Sequence, residues 1–181
     1  MLILASQSPR RRELLERAGI PFVVQAAGVP EERLPHEAPK DYVVRLATEK
    51  ASAVNGDLVL GADTVVVIDG EILEKPRDTA DAVRMLSLLS GRCHSVITGI
   101  CLRSGSQLST AHVETRVSFV NMSLPEIESY AASGEPADKA GAYAIQGLAS
   151  KFIDRIEGDY CNVVGLPLFL VYRILRDAGA V

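Results

Sequence analysis

Asp63 is the residue whose type most conflicts with its setting. It follows the apolar run Leu58-Val59-Leu60, sits in Gly61-Ala62-Asp63-Thr64, and is followed at once by Val65-Val66-Val67-Ile68. An ionised carboxylate flanked by strands costs several kcal/mol to desolvate unless it meets a cation or a metal. Such a residue is more often kept for chemistry than for packing. Other residues break pattern in the same way. Lys50 falls inside the apolar stripe Val43, Leu46, Ala47, Ala51, Val54. A lysine there either snorkels to the edge or points its ammonium into a cleft beside the strand of Asp63. Arg10, Arg11 and Arg12 crowd the start of a helix, where the dipole favours acids. Either that turn is simply solvated, or an anion sits at the helix N-terminus. The hydroxyls of Ser6 and Ser8, two arginines and the backbone N–H groups would then cradle a phosphate. Glu31 stands in an acidic, proline-rich loop beside Glu32, Lys75 at a strand end, and Gln146 between Ile145 and Gly147. An amide so placed is expected to hydrogen-bond something buried.

Two carboxylates and several cations suit a polyanionic substrate with a divalent metal, and a triphosphate is the natural candidate. An aspartate near a metal can make a water nucleophilic, and the cations can meet charge on the leaving group. Other routes lack their residues. His36, His94 and His112 are scattered, and there is no G-x-S-x-G. Asp63-Thr64-Val65 lacks the second acid of a D-x-D phosphatase, and the loop Gly134–Gly147 is not a Walker A.

The elements that must position these residues are legible from periodicity and punctuation. Leu2-Ile3-Leu4 reads as a strand, and Ser8 and Pro9 as N-cap and first position of a helix ending near Gly19. Phe22-Val23-Val24 is a second strand, and the spacing predicts a helix from about Pro39 to Val54. The central strands turn at Asp69-Gly70 and return through Glu71–Lys75. A helix over Thr79–Leu89 follows, then two long strands, about Cys93–Arg103 and Ser109–Val120, each with a wet face. Ser123-Leu124-Pro125-Glu126 is a capping box. The loop Gly134–Gly147 leads into a short strand, Phe152–Ile156 is another, and a last helix starts near Pro167. These alternations predict an α/β fold with a mixed sheet and a cleft between two lobes.

Composition bounds the rest. The chain has 181 residues, a net charge of −4 and 48% hydrophobic residues. That gives a real core and argues against a general nucleic-acid binder. Cys93, Cys101 and Cys161 are an odd number without C-x-x-C, which suits a reducing cytoplasm and offers no zinc site. No apolar run approaches a membrane span, and the start reads as a strand, not a signal peptide.

Four motifs in order resemble the Maf family of nucleoside triphosphate pyrophosphatases. They are Ala5-Ser6-Gln7-Ser8-Pro9-Arg10-Arg11; Gly61-Ala62-Asp63-Thr64; Glu74-Lys75-Pro76; and Asp138–Gly147 followed by Asn162–Pro167. The resemblance covers essentially the whole chain as one Maf-like domain, 1–181. It implies an elongated mixed α/β structure related to inosine triphosphate pyrophosphatases, with the site in a cleft. It further implies hydrolysis between the α and β phosphates, a divalent cation (Mg²⁺ or Mn²⁺), and a homodimer. Carried onto this chain, Asp63 is the general base. Ser8, Arg11, Glu31, Lys50 and Lys75 form the catalytic and substrate shell, with Asp63 and Glu31 toward the metal. Arg10, Thr64 and Gln146 match the positions tied to base choice.

The Tyr143-Ala144-Ile145-Gln146 version of the loop is similar to the branch acting on dTTP and UTP. Uracil and thymine present acceptor–donor–acceptor edges, and a neutral glutamine can both accept from N3–H and donate to a carbonyl. A glutamate only accepts, which suits guanine. The rivals are the same chemistry on CTP or 7-methyl-GTP, and a non-catalytic nucleotide-binding regulator of cell division. Asp63 together with Lys50 and Lys75 argues against the last, since a pure binder needs no general base.

Overall fold

A computed structural model describes residues 1–181. Its elements run β1 (Leu2–Leu4), α1 (Pro9–Arg17), β2 (Phe22–Val24), α2 (Pro39–Ala53), β3 (Leu58–Ile68), β4 (Glu71–Leu73) and α3 (Thr79–Leu89). They continue through β5 (Cys93–Ser104), β6 (Gln107–Phe119), α4 (Leu124–Ala131), β7 (Ile153–Glu157), α5 (Tyr160–Val164) and α6 (Leu168–Asp177). Short 3₁₀ turns occupy Glu135–Asp138, Ala140–Ala142 and Leu148–Phe152. The strands form one mixed seven-stranded sheet in the order β2-β1-β3-β5-β6-β7, with β4 paired to β3. β1 runs parallel to β2 and β3, while β4 is antiparallel to β3 and β7 to β6. No helix is long and apolar enough to cross a membrane.

The chain divides into two compact units. The first comprises Met1–Thr64, Thr98–Val113 and Cys161–Val181, and the second Val65–Ile97 and Glu114–Tyr160. In the first unit α2 lies unusually close to the sheet, because two strand positions carry no side chain there. A Cβ on Gly61 would fall 2.0 Å from the Ala47 carbonyl oxygen, and one on Gly99 would fall 2.5 Å from that of Val43. Ala47, Ala51, Val54, Val59 and Cys101 fill the space beneath, all essentially buried. In the second unit His94, Phe119 and Tyr143 pack edge to face, with ring centroids 4.9 to 5.4 Å apart. Such pairs add about 1 kcal/mol beyond their burial.

Several local expectations need correction. Asp63 does not stand between two strands but inside one unbroken strand, β3. Its carboxylate is met there by Lys50, as described below. β4 stops at Leu73, so Glu74 and Lys75 lie beyond the strand. The loop after Gly134 leads into no strand; residues 140–152 coil through 3₁₀ turns, forced by Gly141 at φ 70 and Ala142 at φ 59. β5 is buried on both faces over most of its length, and only β6 has the wet face. α5, five residues long, has no periodicity from which to read it.

Candidate active site

The first unit gathers most of the pattern-breaking residues. Gly61 and Asp63 share the face of β3 that meets α2, since alternate strand residues point the same way. The close approach at Gly61 brings Lys50, one helical turn on from Leu46, over Asp63. Lys50 Nζ donates to Asp63 Oδ1 at 2.7 Å and lies 2.5 Å from Glu31 Oε1. Lys50 and Asp63 are 6% and 8% exposed, so the ammonium does not snorkel to water. Glu31 is delivered by a loop tied to the same helix. The buried Tyr42 hydroxyl donates to the Glu31 carbonyl at 3.2 Å, and Arg45 Nη2 donates to the Glu32 carbonyl at 2.8 Å. Arg45 in turn grips Glu37 and Glu49.

Asp63 is pulled in two directions. Burial pushes its carboxyl above the ordinary range, while Lys50 and Arg11 pull it back. The net direction is upward, which makes this carboxylate a stronger base than an exposed aspartate.

Arg11 is the only arginine of its cluster that is buried. Its Nε donates to the Gly165 carbonyl at 2.8 Å, Nη1 to Ser6 Oγ at 3.1 Å and Nη2 to Thr64 Oγ1 at 3.0 Å. These acceptors are neutral. They fix the planar fork without cancelling its charge, which remains available to an anion. Burial lowers its pKa, and Asp63 partly offsets this. Thr64 Oγ1 also shares a hydrogen bond with Thr98 Oγ1 at 2.9 Å, and Thr98 Oγ1 donates to the Asn162 carbonyl at 3.2 Å. Ser6 Oγ accepts from the Ser8 N–H at 3.2 Å as well. Ser8 is the N-cap of α1 by position, but its side chain makes no capping bond. Its hydroxyl stays half-buried beside the half-buried Arg10.

Lys75 and Gln146 belong to the second unit and are both exposed. The expectation that Gln146 bonds something buried is therefore overturned: the chain turns at Ile145–Gly147, and the amide faces outward. Lys75 is flanked by two anchors. The Glu74 carbonyl accepts from the Gly141 N–H at 3.1 Å. Arg77 donates from its backbone N–H and its Nε to buried Asp81, each at 3.1 Å, folding the segment onto the first turn of α3. Asp78 caps that helix through the Asp81 N–H at 2.8 Å.

No cluster of three His, Cys, Asp or Glu side chains gathers at metal-ligating distance. Mg²⁺, however, takes one or two carboxylates and fills its remaining positions with water and substrate phosphate. Asp63 and Glu31, hard oxygen donors whose carboxylates converge on one ammonium, fit that demand.

Residues that sequence reasoning passed over are neutral or regular. Thr98 and the Gly165 carbonyl orient Arg11. His94 Nε2 hydrogen-bonds Tyr143 Oη at 2.8 Å, and burial lowers the His94 pKa to about 4, so the ring is neutral. A histidine within an apolar strand was the one available signal.

The family described as Maf-like protein matches residues 1–178. A dTTP/UTP pyrophosphatase of Anaeromyxobacter dehalogenans (strain 2CP-1 / ATCC BAA-258) is 53% identical, covering 98% of this chain and 94% of the relative. One of Koribacter versatilis is also 53% identical, with the same coverages. One of Salmonella typhimurium is 50% identical over 99% and 93%. The solved Ham1 protein of Staphylococcus aureus aligns over 65% of this chain and 71% of its own, at 12% identity and a TM-score of 0.43, too loose a likeness to argue from.

Proposed function

Because this chain belongs to the Maf-like family over nearly its whole length, we propose that it hydrolyses dTTP and UTP between the α and β phosphates, releasing the nucleoside monophosphate and pyrophosphate. The observation that carries the reading is Asp63, a buried strand carboxylate held at 2.7 Å by the equally buried Lys50. Asp63 takes the proton from the attacking water, and burial, by raising its pKa, makes it a stronger base than an exposed aspartate. Lys50 fixes the carboxylate and holds Glu31 beside it. Arg11, oriented by three neutral acceptors, supplies a fixed positive charge to the phosphates, and Ser8 and Arg10 flank the same helix start. Lys75 supplies a further cation at its motif position. Asp63 and Glu31 would hold a divalent cation, Mg²⁺ or Mn²⁺, which neutralises phosphate charge when bound. Gln146 presents acceptor and donor to the O4, N3–H edge of uracil or thymine, and cytosine reverses that edge. The cysteine content, without a disulfide, supports a cytoplasmic setting.

The test incubates the purified protein with Mg²⁺ or Mn²⁺ and a panel of nucleoside triphosphates, with Asp63→Asn alongside. Monophosphate and pyrophosphate from dTTP and UTP, lost in the variant, are expected. Diphosphate and orthophosphate would sink the bond assignment. Undiminished turnover in Asp63→Asn would remove its role as base.

A further inference from the structure

Gln146 is exposed, yet the backbone on both sides of it is tied to one hydrogen-bonded pair. The Ala144 N–H donates to Tyr130 Oη at 3.1 Å. The Tyr130 O–H donates to Glu135 Oε1 at 2.7 Å. The Leu148 N–H donates to the other carboxylate oxygen, Glu135 Oε2, at 3.0 Å. The arc 144–148 is thus closed by a side-chain bridge whose two ends lie two residues either side of Gln146.

The bridge is specific to this place. Tyr130 is buried at the end of α4, and its ring packs edge to face on Phe152 with centroids 6.1 Å apart. Glu135 opens the next 3₁₀ turn, with its backbone carbonyl accepting from Lys139 Nζ at 2.7 Å. Gly147 leaves the room the carboxylate needs: a Cβ there would lie 2.1 Å from Glu135 Oε2. Its φ of −110 is ordinary, so space and not backbone freedom calls for the glycine. Tyr143, one residue before Ala144, is pinned separately to His94.

We infer that Tyr130 and Glu135 are positioning residues for base selection, a brace that fixes where the Gln146 side chain leaves the backbone and so the reach of its amide to a pyrimidine with a carbonyl at C4. The inference rests on Gln146 reading the base. A base edge is discriminated only when its partner arrives at one place; an amide on a loose arc can shift to serve cytosine as well as uracil. The side-chain torsions of exposed Gln146 are set by the base it meets, so what the arc supplies is a fixed root from which the amide reaches that base at one distance and angle.

The test compares the ratio of kcat/KM for UTP to that for CTP in Tyr130→Phe, Glu135→Ala, Glu135→Gln and Gln146→Ala. Thermal midpoints are measured in parallel. Loss of both hydrogen bonds of the Tyr130 hydroxyl, one from Ala144 and one to the Glu135 carboxylate, is expected to lower the ratio about fivefold in Tyr130→Phe, through KM for UTP with little change in kcat. Glu135→Ala lowers it further, and Glu135→Gln, which keeps an acceptor for Leu148, lies between wild type and alanine. If Glu135→Ala does not fold, Gly147→Ala displaces the carboxylate instead and is expected to lower the ratio likewise. Brace variants that lose thermal stability but keep the ratio overturn the inference, since the bridge would then be merely structural. An unchanged ratio in Gln146→Ala overturns the reading of Gln146 on which the brace depends, whatever the other variants do.

Discussion

The two units hold their candidate site residues by opposite means. In the unit containing α2, the reactive side chains are themselves immobilised: Lys50, Asp63 and Arg11 are buried, and each is hydrogen-bonded. In the other unit Lys75 and Gln146 stand exposed, while the backbone beside each is anchored, at Glu74 and Arg77 in one case and at Ala144 and Leu148 in the other. The difference follows the tasks. A proton acceptor needs a fixed, low-dielectric setting that tunes its pKa. A residue that meets a ligand's edge or charge needs its tip accessible and its root still.

This contrast can be broken most severely at Asp63. Asp63→Asn keeps the shape but removes the base, and kcat is expected to fall about a thousandfold, checked by steady-state kinetics on UTP. With Asp63 as the proposed base, activity requires the deprotonated carboxylate, whose pKa is raised by burial. The acid limb of kcat/KM therefore lies above the ordinary carboxylate range, and activity falls as pH drops through it. For stability the sign is reversed. The contribution of Asp63 is fully present below its unfolded value and is lost as pH rises through the folded one.

Lys50→Met leaves Asp63 buried without its cation and is expected to cost about 3 kcal/mol in urea unfolding near neutral pH. Part of the Glu31 loss is returned by water, since that side chain is 43% exposed. The acid limb should also move to higher pH, because burial then acts on Asp63 with one opposing charge fewer. Gly61→Ala drives a methyl into the Ala47 carbonyl and should lower stability by about 2 kcal/mol, with activity falling in parallel as Lys50 lifts from Asp63. The same truncation logic applied to the exposed side should look different. Gln146→Ala is expected to shift the UTP-to-CTP preference about tenfold with no change in thermal midpoint. A large loss of stability there would erase the contrast between the units.

Much of the first arrangement could be read from the chain alone, because a buried charge interrupts an apolar pattern and leaves a visible mark. Asp63 within valines and Lys50 within a helical stripe are such marks. Arg11 was legible as a cation at a helix start, but not as the single buried member of its trio, since its acceptors come from Ser6, Thr64 and Gly165, far apart in sequence. The second arrangement left fewer traces. Tyr130 and Glu135 occupy positions where an inward aromatic and a turn-opening acid are ordinary, and their meeting with residues 144 and 148 depends on 3₁₀ turns that carry no periodic signal. For the same reason the pattern calls for a strand where the chain coils, and for a buried hydrogen-bond partner at Gln146, which is exposed.

Asp63 and Thr64 are neighbours on one strand, and their side chains leave the sheet on opposite faces: the carboxylate goes to Lys50 and the hydroxyl to the Arg11 fork. β3 thus indexes two chemistries by parity alone. Loss of a single residue between Leu58 and Ala62 would set the Thr64 hydroxyl against the ammonium and Val65 against the guanidinium, and gain of one would set Ala62 and the Asp63 carboxylate there instead. Point substitutions in that stretch degrade the site by degrees, but a one-residue length change would take the carboxylate from the ammonium at once. In this part of the chain, length is held more rigidly than identity.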